Sequence, residues 1–285
     1  IKGGLAEGEY EPLSQLARQT RRCVLPLENT LFLREVLAVY TLVQAGVLGD
    51  LVYLRGGYRH DLRDLLLDDQ GRLGNRANTE SIWRARFYRE ANGDIYPTHG
   101  LAPLCLWAGI NRGDRLRRLT SFASRSAGLL HRIRLLGGDE QVQVTMGDVV
   151  VTQLESEKGV LMSLIHDTTL PRPRSLDFEV QGTRGIWQGD TRRIYVEGDG
   201  QTETWQDDAP YVERYEHEYW KRWGTEALDA DRHHKGMDYI MLRAVAEALL
   251  GGMPYPVTVD DLATWTAVTP LSCRSVRERR TVDFP

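Results

Sequence analysis

The run DVVVTQLESEKGVLMSLIHDTT, residues 148–169, decides the fold class. Two apolar stretches of alternating character flank SEKG (156–159), and a short glycine-closed turn between such stretches signals a β-hairpin. Working outward, RLTSFAS (118–124), DFEVQG (177–182) and RRIYVE (192–197) read as further strands. Consecutive strands joined by short turns imply an antiparallel sheet. Helical spacing returns at 211–223, 236–250 and 260–268.

Before residue 60 the rhythm differs. Residues 11–22 (EPLSQLARQTRR) read as an amphipathic helix with a basic last turn, and Cys23–Leu27 as a short buried strand. Leu33, Val36, Leu37, Tyr40 and Val43 recur at helical spacing, with Gly46 and Gly49 closing that helix. LVYLRGGYRH (51–60) is the next strand. Helix, strand, helix, strand is the pattern of a parallel α/β unit. The expected architecture is therefore α/β: the C-terminal part of a Rossmann-type domain (1–50), followed by an α+β domain (51–285) with a large, mostly antiparallel open sheet. No GxGxxG phosphate turn lies between an early strand and helix. Residues 68–78 form the most polar loop and the expected mobile segment near the site.

Composition narrows the function. Hydrophobic residues make up 41% of the 285, and 40 acidic against 36 basic residues leave a net charge of -4. That balance gives no electrostatic reason to expect nucleic acid or an anionic membrane as partner. The basic run RGDRLRRL (112–119) reads as a solvated face. No apolar run approaches the ~18 residues of a membrane span. Cys23, Cys105 and Cys273 are far apart, which favours buried thiols over a disulfide framework or a zinc knuckle. The start IKGGLAEGEYEPL has no basic-then-apolar signal pattern. A soluble protein is expected, cytoplasmic or exported in a bacterium.

The chemistry concentrates in GDIYPTHGLAPL (93–104), where Tyr96, Pro97, Thr98 and His99 precede an apolar helix. An imidazole titrates near ~6.5 in general, which suits a proton-transfer role at neutral pH. Alone, His99 would read as a structural residue behind a Thr98 helix cap. Tyr58 stands at the end of a strand, where α/β sites gather. Asn29 reads as a helix N-cap. His233-His234 has no third ligand at a recognisable spacing, so no metal is expected.

LENTLFLREV, GGYRHDLRDLL, IWRARFYREANGDIYPTHGL, INRGDRL, LTSFASRSAGL, HDTTLPRP, VQGTRGIWQ, KGMDY and YPVTVDDLATWTAVTPLS follow in order from residue 27 to 272. Together they resemble the latter two thirds of the NAD-dependent α-N-acetylgalactosaminidase-type glycosidases, glycoside hydrolase family 109, within the Gfo/Idh/MocA oxidoreductase superfamily. The resemblance implies that the glycine turn belongs to a preceding half-domain. It also implies a redox route: NAD takes a hydride from C3 of the sugar, and the ketone acidifies the C2 hydrogen. A base then removes that proton, the C1 group leaves, water adds, and the hydride returns. His99 becomes the candidate base or acid, with Tyr96 touching both cofactor and substrate and Asn29 contacting the cofactor. Tyr58, Arg84, Pro97 and Thr98 complete the sugar site. Arg174 stands where the family often has a tyrosine against the sugar, and Lys235 where it tends to have glycine. Alternatives are an NAD(P)-dependent sugar or cyclitol dehydrogenase, and a cofactor-free sugar-binding or scaffold protein. A homodimer through the open sheet is expected, with Val149, Val151, Val160, Met162 and Leu164 on its apolar faces.

Overall fold

The computed structural model describes residues 6–8, 11–139 and 141–285. The hairpin at 148–169 forms and sits inside one large sheet. Its strands are β1 (Leu51–Arg59), β2 (Leu116–Ala123), β3 (Val149–Ser156), β4 (Leu161–Asp167), β5 (Glu179–Gly182), β6 (Gly185–Gln188), β7 (Arg193–Val196), β8 (Gln206–Asp207) and β9 (Val282–Asp283). They lie in the order β8-β7-β6-β5-β1-β4-β3-β2-β9, and only β1 and β4 run parallel. In the hairpin turn, Gly159 takes φ +84 and the Ser156 hydroxyl accepts the Val160 N–H at 3.1 Å. β3 alternates between half-exposed odd and buried even positions, so the period of two read from the sequence is the period of the pleat.

The helices are α1 (Glu11–Thr20), α2 (Arg34–Gln44), α3 (Arg63–Leu66), α4 (Thr79–Glu90), α5 (Thr98–Ala108), α6 (Gly128–Leu135), α7 (Ala209–Arg214), α8 (Glu218–Ala230), α9 (Met237–Leu249) and α10 (Val259–Glu278). None of these is long and apolar enough to cross a membrane. α5 is apolar around most of its circumference because it is enclosed: Leu101, Ala102, Leu104, Leu106 and Trp107 are all buried. Its close approach to β1 depends on missing side chains. A Cβ on Gly100 would stand 2.7 Å from the Gly57 nitrogen, and one on Gly56 would stand 2.8 Å from the Gly100 carbonyl. α10 packs beside β2, where the Ser275 hydroxyl accepts the Ser121 N–H at 2.9 Å. The opposite sheet face meets solvent, with Phe122 70% and Leu161 44% exposed.

Several expectations need correction. Cys23–Leu27 forms no strand; it is an irregular segment leading to a 3-10 turn at Asn29–Phe32. The ladder partners of β1 are β4 and β5, so residues 11–60 do not build a parallel unit of their own. The helix read at 211–223 is two helices, because the His217 ring accepts the Tyr219 N–H and starts a new one. The helix read at 260–268 runs on to Glu278. Val160, Met162 and Leu164 face the core, leaving Val149 and Val151 half-exposed on the open side. In the basic run, Arg115 and Arg118 pair on the surface with Glu157 and Glu155. Arg112 instead forks onto the buried Asp261 carboxylate, at 2.7 and 2.8 Å.

Candidate active site

β1 carries Tyr58 to its C-terminal end, and the glycine contact brings the start of α5 against it. Tyr58 and His99 consequently meet edge to face, with ring centroids 5.1 Å apart. Tyr96 closes the triangle, 4.7 Å from His99 and 5.0 Å from Tyr58. α4 supplies the fourth wall. Trp83 stacks on Tyr96 at 6.1 Å, and the Arg84 guanidinium carbon lies 4.8 Å from the Tyr96 centroid and 5.8 Å from that of Tyr58. Of the residues expected here, Tyr58, Arg84, Tyr96 and His99 form one aromatic cage, while Pro97 and Thr98 are buried in its floor.

The loop carrying Tyr96 is fixed from below. The Asp94 carboxylate accepts the Tyr96 N–H at 3.0 Å, and the Asp94 N–H donates to the Ser272 hydroxyl at 2.8 Å. Burial raises the Asp94 carboxyl to about 7.

His99 is oriented by a residue the sequence reading passed over. Its Nδ1 lies 2.6 Å from Oε1 of Glu28, which is fully buried. The Thr30 hydroxyl donates to the same oxygen at 2.8 Å. Burial alone would raise the Glu28 carboxyl, but the charge and hydrogen bond of His99 outweigh it and bring it down to about 2. A carboxylate is acceptor-only, so His99 Nδ1 must carry the hydrogen, which leaves Nε2 as the lone pair of the neutral ring. Glu28 sits inside the LEN segment, so the available signal was its place one residue before Asn29.

Asn29 donates its amide to Asp238 at 2.7 Å. Asp238 belongs to a cluster with Asp231 and His234 whose ligand-type atoms lie within 4.8 Å of one another. These are the acidic neighbours that spacing around His233-His234 did not reveal. Their oxygens already have donors: Asp231 accepts the N–H groups of His234 and Asp238, and Asp238 takes Nδ1 of His234 at 2.8 Å. The cluster works as the start of α9.

Two further groups face the same interior. His166 stands opposite Tyr58 in the β1–β4 register, buried, with neither ring nitrogen hydrogen-bonded. Burial, aided by the Arg84 charge, lowers its imidazole to about 3. Arg84 is only 4% exposed, and its Nε and Nη1 have no hydrogen-bond partner among the described residues. A buried guanidinium with open donors suits the oxygens of a ligand. Burial also raises the Tyr58 hydroxyl, with Arg84 and Arg174 opposing it.

The description "Glycosyl hydrolase 109, C-terminal domain" matches residues 32–285. A glycosyl hydrolase family 109 protein of Stenotrophomonas maltophilia is 37% identical over 274 residues, covering 91% of this chain and 60% of its own length. An alpha-N-acetylgalactosaminidase of Tannerella forsythia is 36% identical, covering 91% and 58%. The chain thus spans about 60% of the length of such curated relatives. Among solved structures, an NAD binding oxidoreductase from Klebsiella pneumoniae superimposes with TM-score 0.69 at 16% identity, covering 98% of this chain and 71% of that one. A levoglucosan dehydrogenase in complex with NADH and levoglucosan gives TM-score 0.64 at 18% identity, covering 98% and 71%. The chain shares its fold with about 71% of each of these two oxidoreductase chains. With a family match that takes in the whole cage, from Tyr58 to His99, the chain belongs to glycosyl hydrolase family 109.

Proposed function

We propose that the full-length protein is a glycosidase acting on an N-acetylgalactosaminide or related glycoside by NAD-dependent oxidation at C3, elimination, water addition and re-reduction. The observation that carries this reading is the nature of the caged proton-transfer groups. They are one imidazole, oriented by Glu28, and two phenols. Ordinary glycoside hydrolysis instead uses two carboxyl groups facing each other across the scissile bond.

Tyr96, with its ring against Trp83, offers an aromatic wall that fits a planar nicotinamide; Asn29 would hold the same group only by sharing its amide with Asp238. When bound, NAD supplies a reversible hydride acceptor for C3. His99 Nε2 takes the C2 proton and returns it, while Glu28 keeps Nδ1 protonated and the ring in place. Tyr58 holds the C3 hydroxyl, and Arg84 directs its open N–H groups to substrate oxygens. Turnover in deuterated water tests the scheme. Deuterium is expected at C2 of the product with no net NADH, because the removed proton exchanges with solvent. Retention of hydrogen at C2 sinks the elimination route, and net NADH identifies a sugar dehydrogenase.

We also infer a two-fold dimer through the solvent-facing sheet surface, where Val149, Val151 and Ile165 adjoin exposed Phe122. Light scattering at micromolar concentration is expected to give twice the chain mass; a monomer overturns this.

A further inference from the structure

Beside the aromatic cage runs a groove of about 520 Å³ whose lining includes Arg174, Ser175, Trp187, His233 and Lys235. The backbone sets its position. Ser175 and Arg59 exchange two hydrogen bonds, N–H to carbonyl each way at 2.8 and 3.1 Å, which places Arg174 alongside His60, just past the end of β1. Tyr58 lies one residue before that pair. The Arg174 charge is close enough to oppose the upward shift of the Tyr58 hydroxyl and to join burial in lowering the His60 imidazole.

The groove has surplus positive charge. Glu35 and Asp190 also line it: Glu35 faces Arg192 at 3.6 Å, and Asp190 keeps its charge while accepting the neutral Ser175 hydroxyl, so Arg174, Arg192 and Lys235 stand against two carboxylates. Arg174 and Lys235, both exposed, have no ion-pair partner among the described residues. On the cage side, Nε and Nη1 of Arg84 and Nδ1 of His60 are buried without hydrogen bonds. Buried open donors on Arg84 and His60, beside an arginine with no ion pair at the junction of a sugar-sized groove and an aromatic cage, suit an anionic acceptor.

We propose that the substrate bears an anionic substituent, a carboxylate or a sulfate, which pairs with Arg174 where the groove meets the cage. This rests on the glycosidase reading above and makes Arg174 the residue that decides between charged and neutral sugars. Lys235 adds attraction from the far wall.

The test is calorimetric titration of the full-length protein with N-acetylgalactosamine, with its sulfate esters and with galacturonate. The wild type, Arg174→Tyr and Arg174→Lys are compared, with unchanged thermal unfolding as the control for folding. The wild type is expected to bind at least one anionic sugar roughly 10- to 100-fold more tightly than the neutral one, the range of a charge-assisted hydrogen bond. Arg174→Tyr removes that preference and Arg174→Lys keeps part of it. Tighter binding of galacturonate identifies a carboxylate, and tighter binding of an ester identifies a sulfate. Equal binding of neutral and anionic sugars overturns the proposal. So does an Arg174→Tyr protein that loses NAD affinity with its sugar preference intact, which would assign the groove to the dinucleotide. Because binding is read without turnover, an anionic preference in a protein that fails the deuterium test sinks the glycosidase reading alone.

Discussion

Replacing His99 with alanine is expected to slow glycoside cleavage by about 10²–10⁴-fold while the protein stays folded. The ring is the one caged side chain whose hydrogen position is set by a buried carboxylate, so its other nitrogen is dedicated to the substrate. Its removal deletes the proton acceptor for C2 and opens little core space beside Tyr58 and Tyr96. It also strips the buried Glu28 carboxylate of its partner, so a lower unfolding temperature is expected with the loss of rate. Tyr96→Phe keeps the stack on Trp83 and loses only the hydroxyl, so a comparable fall in rate would assign that hydroxyl to proton transfer. Tyr58→Phe should impair the step at C3, and Arg84→Ala should act mainly on substrate binding. Rates on a chromogenic glycoside, with thermal unfolding as the folding control, check the series. Full activity in His99→Ala removes the proposed base.

The second large effect belongs to Glu28. Removing the buried carboxylate takes a charge-assisted hydrogen bond from His99 and costs about 1.5–3 kcal/mol. Glu28→Gln should therefore lower the unfolding temperature and also reduce activity, since an amide can donate to Nδ1 and permit the wrong tautomer. The pH dependence has a definite sign. The carboxyl titrates at about 2 in the fold against 4.5 when unperturbed, so its stabilisation is fully present above pH 4.5 and disappears as pH falls towards 2. About 3 kcal/mol should vanish across that window in the wild type. Unfolding followed in denaturant from pH 6 downward should show a flatter acid limb for Glu28→Gln. Equal slopes would remove Glu28 from the account.

The sheet was legible because its strands alternate in their own sequence: the burial of β3 follows the period of two residue by residue. α5 was legible for the opposite reason, since an apolar helix with a polar lead-in has nowhere to go but the core. α4 and α6 escaped notice. α4 turns Arg84 and Ser81 inward, so its buried face looks polar until the aromatic cage and the Leu66 carbonyl that receive them are in place. α6 has no cap of its own; the Asp148 carboxylate, twenty residues on, accepts the N–H groups of Ala127 and Gly128 at 2.6 and 2.7 Å.

The same division holds for the site. Tyr58, Arg84, Tyr96 and His99 could be named from their motifs, because each motif is local and keeps its residue types together. Glu28 could not, and neither could the neutral, unpartnered state of His166. Both depend on burial and on neighbours more than sixty residues away, Glu28 through His99 and His166 through Arg84. Sequence by itself therefore determined the sheet, the family and the members of the cage, all of which follow from local pattern. Only the tertiary structure decided which carboxylate orients the imidazole, that Asn29 turns to Asp238, and that β1 runs parallel to β4 at the centre of the sheet. Those depend on chain segments meeting at long range, where desolvation and close backbone approach choose among arrangements that local sequence leaves equally open.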